Sequence, residues 1–317
     1  MYPLETDPIC VPPGSLLLLD RLLRKAGKDP TEVSAITRLC IVGDSGPGGL
    51  RYCPAESIQG EILEAGLDRI AEACEKILNS EEEELLDSVF QMAGSSGGAR
   101  PKINLQIDGE RWLVKFPAPQ DDREIGRMEY EYAQCAKDCG IHVAEHRLLP
   151  SEICGGYFAS KRFDRIPLRD GTEKRIHMLS AAALLELDPF AASMDYRDLM
   201  KLTKILTGSQ KTQLQEMFRR MCFNVFAHNR DDHAKNFSYL YDELQGSWKL
   251  SPAYDLTYST TYYGEHTTSV DGCGADPGEN ELMNVGAGAG LAKKWCAEQI
   301  RLIGETVEKN LSKWIKA

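Results

Sequence analysis

The apolar residues of this chain change their spacing partway along, and that change restricts the folds open to it. Up to about residue 163 short alternating runs are mixed with helical stretches, and beyond it the spacing is mainly three to four positions. Alternation lines one face of a strand, whereas a spacing of about 3.6 lines one face of a helix. Residues 103–107 and 112–116 read as strands, joined at Asp108-Gly109, a dipeptide suited to a tight hairpin turn. Residues 180–187, 196–206, 211–227 and 292–309 read as helices. The pattern predicts an α+β fold in two lobes, a small mixed N-lobe over residues 1–161 and a mainly helical C-lobe over residues 162–317.

Shorter signals fill in the rest. Residues 16–26 carry a helical pattern that stops at Gly27. Residues 37–42 and 50–53 read as strands around a Gly-Pro loop at 44–49. Residues 58–78 read as a helix, and another begins at Ser80, where Ser80 and Glu83 have capping-box spacing. The acidic run 81–84 is then a solvated first turn. In a helix over 123–139, Ile125, Met128, Tyr132, Cys135 and Cys139 share one face, and Gly140 ends it. Residues 157–163 read as a strand, and 236–241 with 248–250 as a hairpin.

A length of 317 residues fits two domains of roughly 150 each. With 37 basic and 48 acidic side chains the formal net charge is −11. That field repels phosphate backbones and argues against direct nucleic-acid binding. The longest apolar runs are about five residues, as at 181–185, against roughly 20 for a membrane helix. The first residues lack the basic and apolar regions of a signal peptide. The ten cysteines contain no Cys-x-x-Cys pair and read as reduced, mostly buried thiols. These features together predict a cytoplasmic protein with no membrane contact.

Chemistry concentrates in His228-Asn229-Arg230-Asp231-Asp232-His233-Ala234-Lys235-Asn236, between an apolar helix and a strand. Arg230-Asp231 with Asn236 has the Arg-Asp-x-x-x-x-Asn spacing of a protein-kinase catalytic loop. Such a loop holds an aspartate that accepts the proton of an attacking hydroxyl, and an asparagine that reaches Mg²⁺ on the nucleotide phosphates. A charged surface turn is the plainer alternative, and Asp232 is a competing base. Asp255, in Pro252-Ala253-Tyr254-Asp255-Leu256, is a candidate second Mg²⁺ ligand. Lys115 sits on a strand among apolar residues, facing away from Val114, where a charge needs a partner. Phosphates and a helix glutamate would supply one. Glu129 and Glu131 flank the apolar stripe on opposite sides, and helical geometry does not choose between them. The loop Ser95-Ser96-Gly97-Gly98-Ala99-Arg100-Pro101-Lys102 is glycine-rich and basic, as a phosphate-covering loop is, but carries no Walker A motif. His233 suits an orienting or nucleotide-contacting role. Residues 260–290 read either as a lid or activation segment or as a surface loop.

These motifs resemble the HipA family of serine/threonine kinases, the toxins of bacterial toxin–antitoxin modules. The matching blocks are 97–102, 112–117, Glu129-Tyr130 with Gly140-Ile141, 161–165, 231–237 and 251–256, in family order. The resemblance implies a two-lobed protein-kinase-like fold using ATP and Mg²⁺. It implies Asp231 as catalytic aspartate, Asn236 and Asp255 as metal ligands, and Lys115 as a phosphate ligand with Glu129 as its helix partner. Gly97, Gly98, Ala99, Arg100 and Lys102 would cover the phosphates. Lys161, Arg162 and Phe163 would form the hinge whose backbone meets adenine. His233, Lys235 and Tyr254 would complete the nucleotide contacts. Ser95 falls where the family carries an autophosphorylated, inactivating serine, and Ser96 could share that role. The chain lacks most of a family N-terminal subdomain, so it resembles the short HipT form, whose missing part a small HipS-like protein supplies. The implied partners are that protein, an antitoxin, and a protein substrate such as an aminoacyl-tRNA synthetase. Two other readings stand beside this one: a small-molecule phosphotransferase with the same layout, and a catalytically silent antitoxin-binding module.

Overall fold

The computed structural model describes residues 23–24, 27–43, 46–54, 66–79, 100–187, 194–261 and 263–315. The chain divides into two compact units, one of residues 1–127 and 145–177, the other of 128–144 and 178–317. The chain therefore passes between units three times, where a division after Lys161 requires one passage. None of the described helices is long and apolar enough to cross a membrane. The described cysteines are free thiols.

The first described helix, α1 (Ala35–Val42), occupies the stretch expected as a strand at 37–42. Ser34 Oγ accepts the N–H of Thr37 at 3.2 Å, and Gly43 ends the helix in a left-handed conformation (φ +51°). Caps at both ends outweigh the β-branched content that suggested a strand. Residues 50–53 form no strand either. Leu23 and Arg24 are helical and Gly27 has φ +71°, as expected of a helix end. The rest of the helix expected at 16–26, residues 58–65, and the helix expected from Ser80 lie outside the described residues.

Helix α2 (Leu67–Leu78) places Ile70, Ala73, Cys74 and Ile77 on one face, at helical spacing. That face joins a buried cluster with Ile103, Trp112, Val114, Phe116, Tyr157 and Ala159. The sheet beneath has the order β1-β2-β4-β3, from β1 (Lys102–Ile107), β2 (Glu110–Lys115), β3 (His146–Leu149) and β4 (Tyr157–Lys161). The hairpin turn is as expected: Asp108 (φ +53°) and Gly109 (φ +79°) are both left-handed. Asp68 ties the helix to the sheet by accepting from Ser151 Oγ and Tyr157 OH, each at 2.7 Å. A small hairpin, β5 (Arg165–Pro167) and β6 (Glu173–Arg175), completes this unit.

Asp164, just before β5, is buried and holds the turn at 46–49. It accepts from Arg162 Nη2 and Arg165 Nη1, both at 2.7 Å, and from the N–H of Gly48 at 2.8 Å. The same arginines donate to the carbonyl of Gly46.

The second unit holds most of α3 (Ile125–Asp138), then α4 (Ala181–Leu184), α5 (Tyr196–Leu206), α6 (Lys211–Phe226), α7 (Glu279–Gly288) and α8 (Lys293–Leu311). Its sheets are β10-β9-β7 and β11-β8, from β7 (Met178–Ser180), β8 (Met194–Asp195), β9 (Ser238–Asp242), β10 (Ser247–Leu250) and β11 (Thr268–Ser269). Helix α6 is the centre. Its Met217, Phe218, Met221, Cys222 and Phe223 have no exposed surface, and its Glu216, Arg220 and Asn224 are buried too. Buried charges must be paired. Arg220 pairs with Glu216 at 2.9 Å and donates to Ser251 O at 2.6 Å, while Glu216 accepts the N–H of His142 at 3.0 Å. The segment entering Asp255 is thereby fixed to α6.

The Asp164 cluster predicts an acid-sensitive first unit. Burial alone pushes the Asp164 carboxyl up. The hydrogen bond and charge of Arg162, the charge of Arg165 and the Gly48 N–H outweigh it, and hold the group below its usual value. A depressed folded pKa contributes stability above the unfolded value of about 3.9, lost as pH falls through the folded value. Asp164→Asn should cost about 3 kcal/mol at neutral pH. In urea titrations the gap between variant and wild type should narrow once pH falls below about 4. A gap independent of pH would disprove the account.

Candidate active site

The end of α6 sets up the loop. His228 takes φ +51° and turns the chain out of the helix. Asn229 then holds back onto it: its N–H donates to Asn224 O and its Nδ2 to Asn224 Oδ1, both at 2.9 Å. Two aspartates follow with opposite environments. The Asp231 side chain is 59% exposed, and that of Asp232 is fully buried. Asp232 Oδ2 accepts from Tyr196 OH at 2.8 Å and from His266 Nδ1 at 2.9 Å, and its Oδ1 accepts the N–H of Thr268 at 3.1 Å. Burial, and then the Asp232 charge, push the Tyr196 hydroxyl well above its ordinary pKa, so it stays a donor. Asp232 is therefore consumed as an anchor, and Asp231 is the carboxylate that faces outward.

Asn236 closes the loop by donating from Nδ2 to Asp231 O at 2.9 Å. That bond leaves its Oδ1 to act as a ligand. The segment before Asp255 runs alongside: Ser251 N–H donates to Ser238 O at 2.9 Å, and Tyr254 OH donates to Lys235 O at 2.8 Å. The Ser238 and Tyr254 hydroxyls lie 2.6 Å apart. These bonds bring the neighbouring residues Asn236 and Asp255 to adjacent strands of chain, although nineteen positions separate them in sequence. Asp255 itself is left-handed, with φ +52°. His233 Nε2 lies 3.7 Å from Asp231 Oδ1.

Four buried polar atoms around this loop have no hydrogen-bond partner among the described residues: Asn229 Oδ1, Arg230 Nε, His233 Nδ1 and Thr257 Oγ1. Each such atom costs roughly 1–3 kcal/mol unless something satisfies it. Their concentration at 229–233 and 257 is what a site for a polar ligand looks like. The described residues contain no cluster of three His, Cys, Asp or Glu side chains that could cage a metal. One amide oxygen and one carboxylate, from Asn236 and Asp255, still fit Mg²⁺, which takes few protein ligands and fills its shell with phosphate oxygens and water.

In the first unit, Lys115 stands on the sheet face opposite Val114, as expected, with Nζ 5.6 Å from the centroid of the Phe158 ring. Lys102 is its direct cross-strand partner. Arg100 is committed elsewhere: Nε and Nη2 grip Asp121 at 2.8 and 3.2 Å, and Asp121 also accepts the N–H of Ala118. The ammonium of Lys161 pairs with Glu110, and its N–H donates to Glu145 O at 2.8 Å. The Arg162 N–H donates to Arg111 O at 2.8 Å, and its guanidinium to Asp164. The N–H groups of Lys161 and Arg162 are thus both taken by the protein itself, and Phe163, the third residue of the expected hinge, is half-buried. Ser95, Ser96, Gly97, Gly98 and Ala99 lie outside the described residues.

In the second unit, the geometry separates the two glutamates of α3. Glu131 accepts from Lys313 Nζ at 2.8 Å and from Trp314 Nε1 at 2.7 Å, so it ties α3 to the end of the chain. Glu129 is only 2% exposed. Sequence reasoning missed Tyr196, Asn224, His266 and Thr268, which hold the loop from behind. They belong to no local motif, and the only clue was a cluster of polar residues in a segment read as undecided. That segment, 260–290, contains β11 and the whole of α7.

The profile described as the HipA-like C-terminal domain matches residues 94–314. The chain therefore belongs to the HipA-like family. Two Sinorhizobium fredii proteins are similar to it. Putative kinase Y4dM is 30% identical over 245 residues, covering 72% of this chain and 56% of that protein. Putative kinase Y4mE is 31% identical over 184 residues, covering 53% and 43%. The chain thus spans about half the length of these curated relatives. Among solved structures, HipA in the Shewanella oneidensis MR-1 toxin–antitoxin complex with HipB and operator DNA superposes with a TM-score of 0.67. It shares 18% identity and covers 95% of this chain and 78% of its own. The fold is accordingly the kinase-like α+β fold of HipA, as the motifs led us to expect.

The two aspartates should separate in stability. Asp231→Asn should leave the urea midpoint within the shift of about 0.5 kcal/mol usual for an exposed site. Asp232→Ala should cost about 3 kcal/mol, because it leaves buried donors without their acceptor. Equal costs would contradict the assignment of Asp232 as anchor and Asp231 as the outward group.

Proposed function

We propose that the chain is a Mg²⁺-dependent serine/threonine protein kinase of the HipA type that transfers the γ-phosphoryl group of ATP to a protein hydroxyl. The observation that carries this reading is the loop itself: an exposed Asp231 beside a buried Asp232, closed by Asn236, with Asp255 strapped alongside through Tyr254. Asp231 accepts the proton of the acceptor hydroxyl as the new bond to phosphorus forms. Asn236 and Asp255 hold Mg²⁺, which supplies charge neutralisation on the phosphates when bound. Lys115 and Lys102, cross-strand partners in the first unit, are the cations proposed to meet phosphate. His233, with its orphaned Nδ1, orients a polar group of the bound nucleotide. Lys235 and Tyr254 act through the carbonyl bond that joins their segments. Glu129 is the buried carboxylate of α3 that matches the family motif. Arg100 acts through the turn it makes with Asp121 rather than by direct contact.

The family supports a role as the toxin of a toxin–antitoxin module, in the cytoplasm, with an antitoxin as partner and a protein such as an aminoacyl-tRNA synthetase as substrate. Self-phosphorylation on Ser95 or Ser96 would then switch it off.

The test is intact mass after incubation of phosphate-free protein with ATP and Mg²⁺. We expect a gain of one phosphate, mapping to Ser95 or Ser96 and absent from Asp231→Gln. ATP binding without any transfer, to itself or to added protein, would overturn the protein-kinase reading and direct attention to small-molecule acceptors.

A further inference from the structure

Three consecutive residues, His266-Thr267-Thr268, bond to the residues on both sides of Asp231. On one side, the N–H and the hydroxyl of Thr267 both donate to Arg230 O at 3.0 Å. On the other, the Thr268 hydroxyl donates to Asp232 O at 2.5 Å and its N–H to Asp232 Oδ1 at 3.1 Å. His266 Nδ1 donates to Asp232 Oδ2 at 2.9 Å. A carboxylate can only accept, so this bond also sets the proton on Nδ1. His266 and Thr268 are buried, which removes water as a competing partner. A single short segment therefore grips residues 230 and 232 with five hydrogen bonds and leaves the side chain of 231 outside.

The gripping segment is itself anchored. Thr268 and Ser269 pair in parallel with Met194 and Asp195. Asp195 Oδ2 accepts from Ser269 Oγ at 2.7 Å and from the N–H of Gly272 at 2.8 Å, and Arg197 Nη1 pairs with Asp271 at 3.0 Å. The carboxyl of Asp195 stays ionised for this task. Burial alone would raise its pKa, but the N–H of Arg197, the Ser269 hydroxyl and the N–H of Gly272 lower it. The start of α5 thus holds the segment that holds the loop.

We infer that His266, Thr267 and Thr268 form a positioning clamp for Asp231, and that the segment first read as lid or surface loop works as the back wall of the catalytic loop. The clamp touches no reacting atom. It fixes the carbonyls of Arg230 and Asp232 and the Asp232 carboxylate, and Asn236 fixes the carbonyl of Asp231 itself, so the carboxylate is presented in one orientation. Positioning of this kind affects the rate of the chemical step more than the affinity for nucleotide. The inference rests on Asp231 being the catalytic aspartate, as proposed above.

The experiment uses the whole chain and MgATP, with turnover read as released plus protein-bound phosphate. Thr268→Val and His266→Leu remove clamp bonds. Thr268→Ser keeps the hydroxyl, and His266→Asn keeps a donor near Nδ1. We expect Thr268→Val and His266→Leu to lower kcat by about tenfold or more, with KM for ATP within about twofold. The two conservative variants should restore most of the loss. Amide hydrogen exchange over residues 228–236 should accelerate in the first pair and not in the second. Wild-type kcat in the first pair, a loss that the conservative variants share, or unchanged exchange would each overturn the clamp. A wild-type chain that turns over no MgATP would instead overturn the kinase reading. The exchange measurement then still decides whether the segment holds the loop.

Discussion

Arg220 is the residue on which the second unit depends. It lies in the middle of α6, buried, and a guanidinium there must be neutralised. Glu216, one turn earlier, supplies the charge, and Ser251 O accepts from Nη2. Glu216 in turn takes the N–H of His142. One buried ion pair thus draws two distant stretches of chain onto the same helix. The stretch it draws in at Ser251 leads directly to Tyr254 and Asp255. The next polar residue on the helix, Asn224, serves Tyr196 and Asn229. The polar interior of α6 therefore organises the site, and its apolar residues supply the cohesion.

The same economy explains why two adjacent aspartates behave so differently. Asp232 has every carboxylate oxygen occupied and no solvent, so it sets geometry. Asp231 looks outward because its neighbours on both sides are tied down. The orphaned atoms of Asn229, Arg230 and His233 lie close by in sequence, and that of Thr257 follows Asp255, where the protein leaves polar groups for something else to satisfy.

Much of this was legible before the structure. The hairpin at Asp108-Gly109 was readable because a two-residue turn with φ positive at both positions has a narrow residue vocabulary. Helix α5 was readable to its end residues, since Asp195 caps it and its apolar face repeats cleanly. The Asp231–Asn236 spacing was readable because both residues lie in one loop. What failed was short or non-local. Residues 37–42 misled because β-branched residues were weighed above the Ser34 cap. Strands β8 and β11 are two residues each, too short to show any period. Glu129 and Glu131 could not be told apart on one helix, since a partner of Glu131, Trp314, lies 183 positions on. The clamp behind Asp231 was invisible for the same reason: its members are 34 to 36 positions from Asp232.

The turn at 46–49 is held by Asp164, Arg162 and Arg165, some 116 residues further along the chain. On a ribosome that distance becomes time. At about 5–20 residues per second, the arginines and their aspartate emerge several seconds after the glycines they hold. In between comes the stretch 128–144, which belongs to the other unit and cannot settle there until α6 has been made. The first unit therefore cannot finish until residue 177 has been made, and the second not until the chain is nearly complete. While residues 128–177 are being made the nascent chain carries two half-built cores, and this is the period in which a holding chaperone has most to protect.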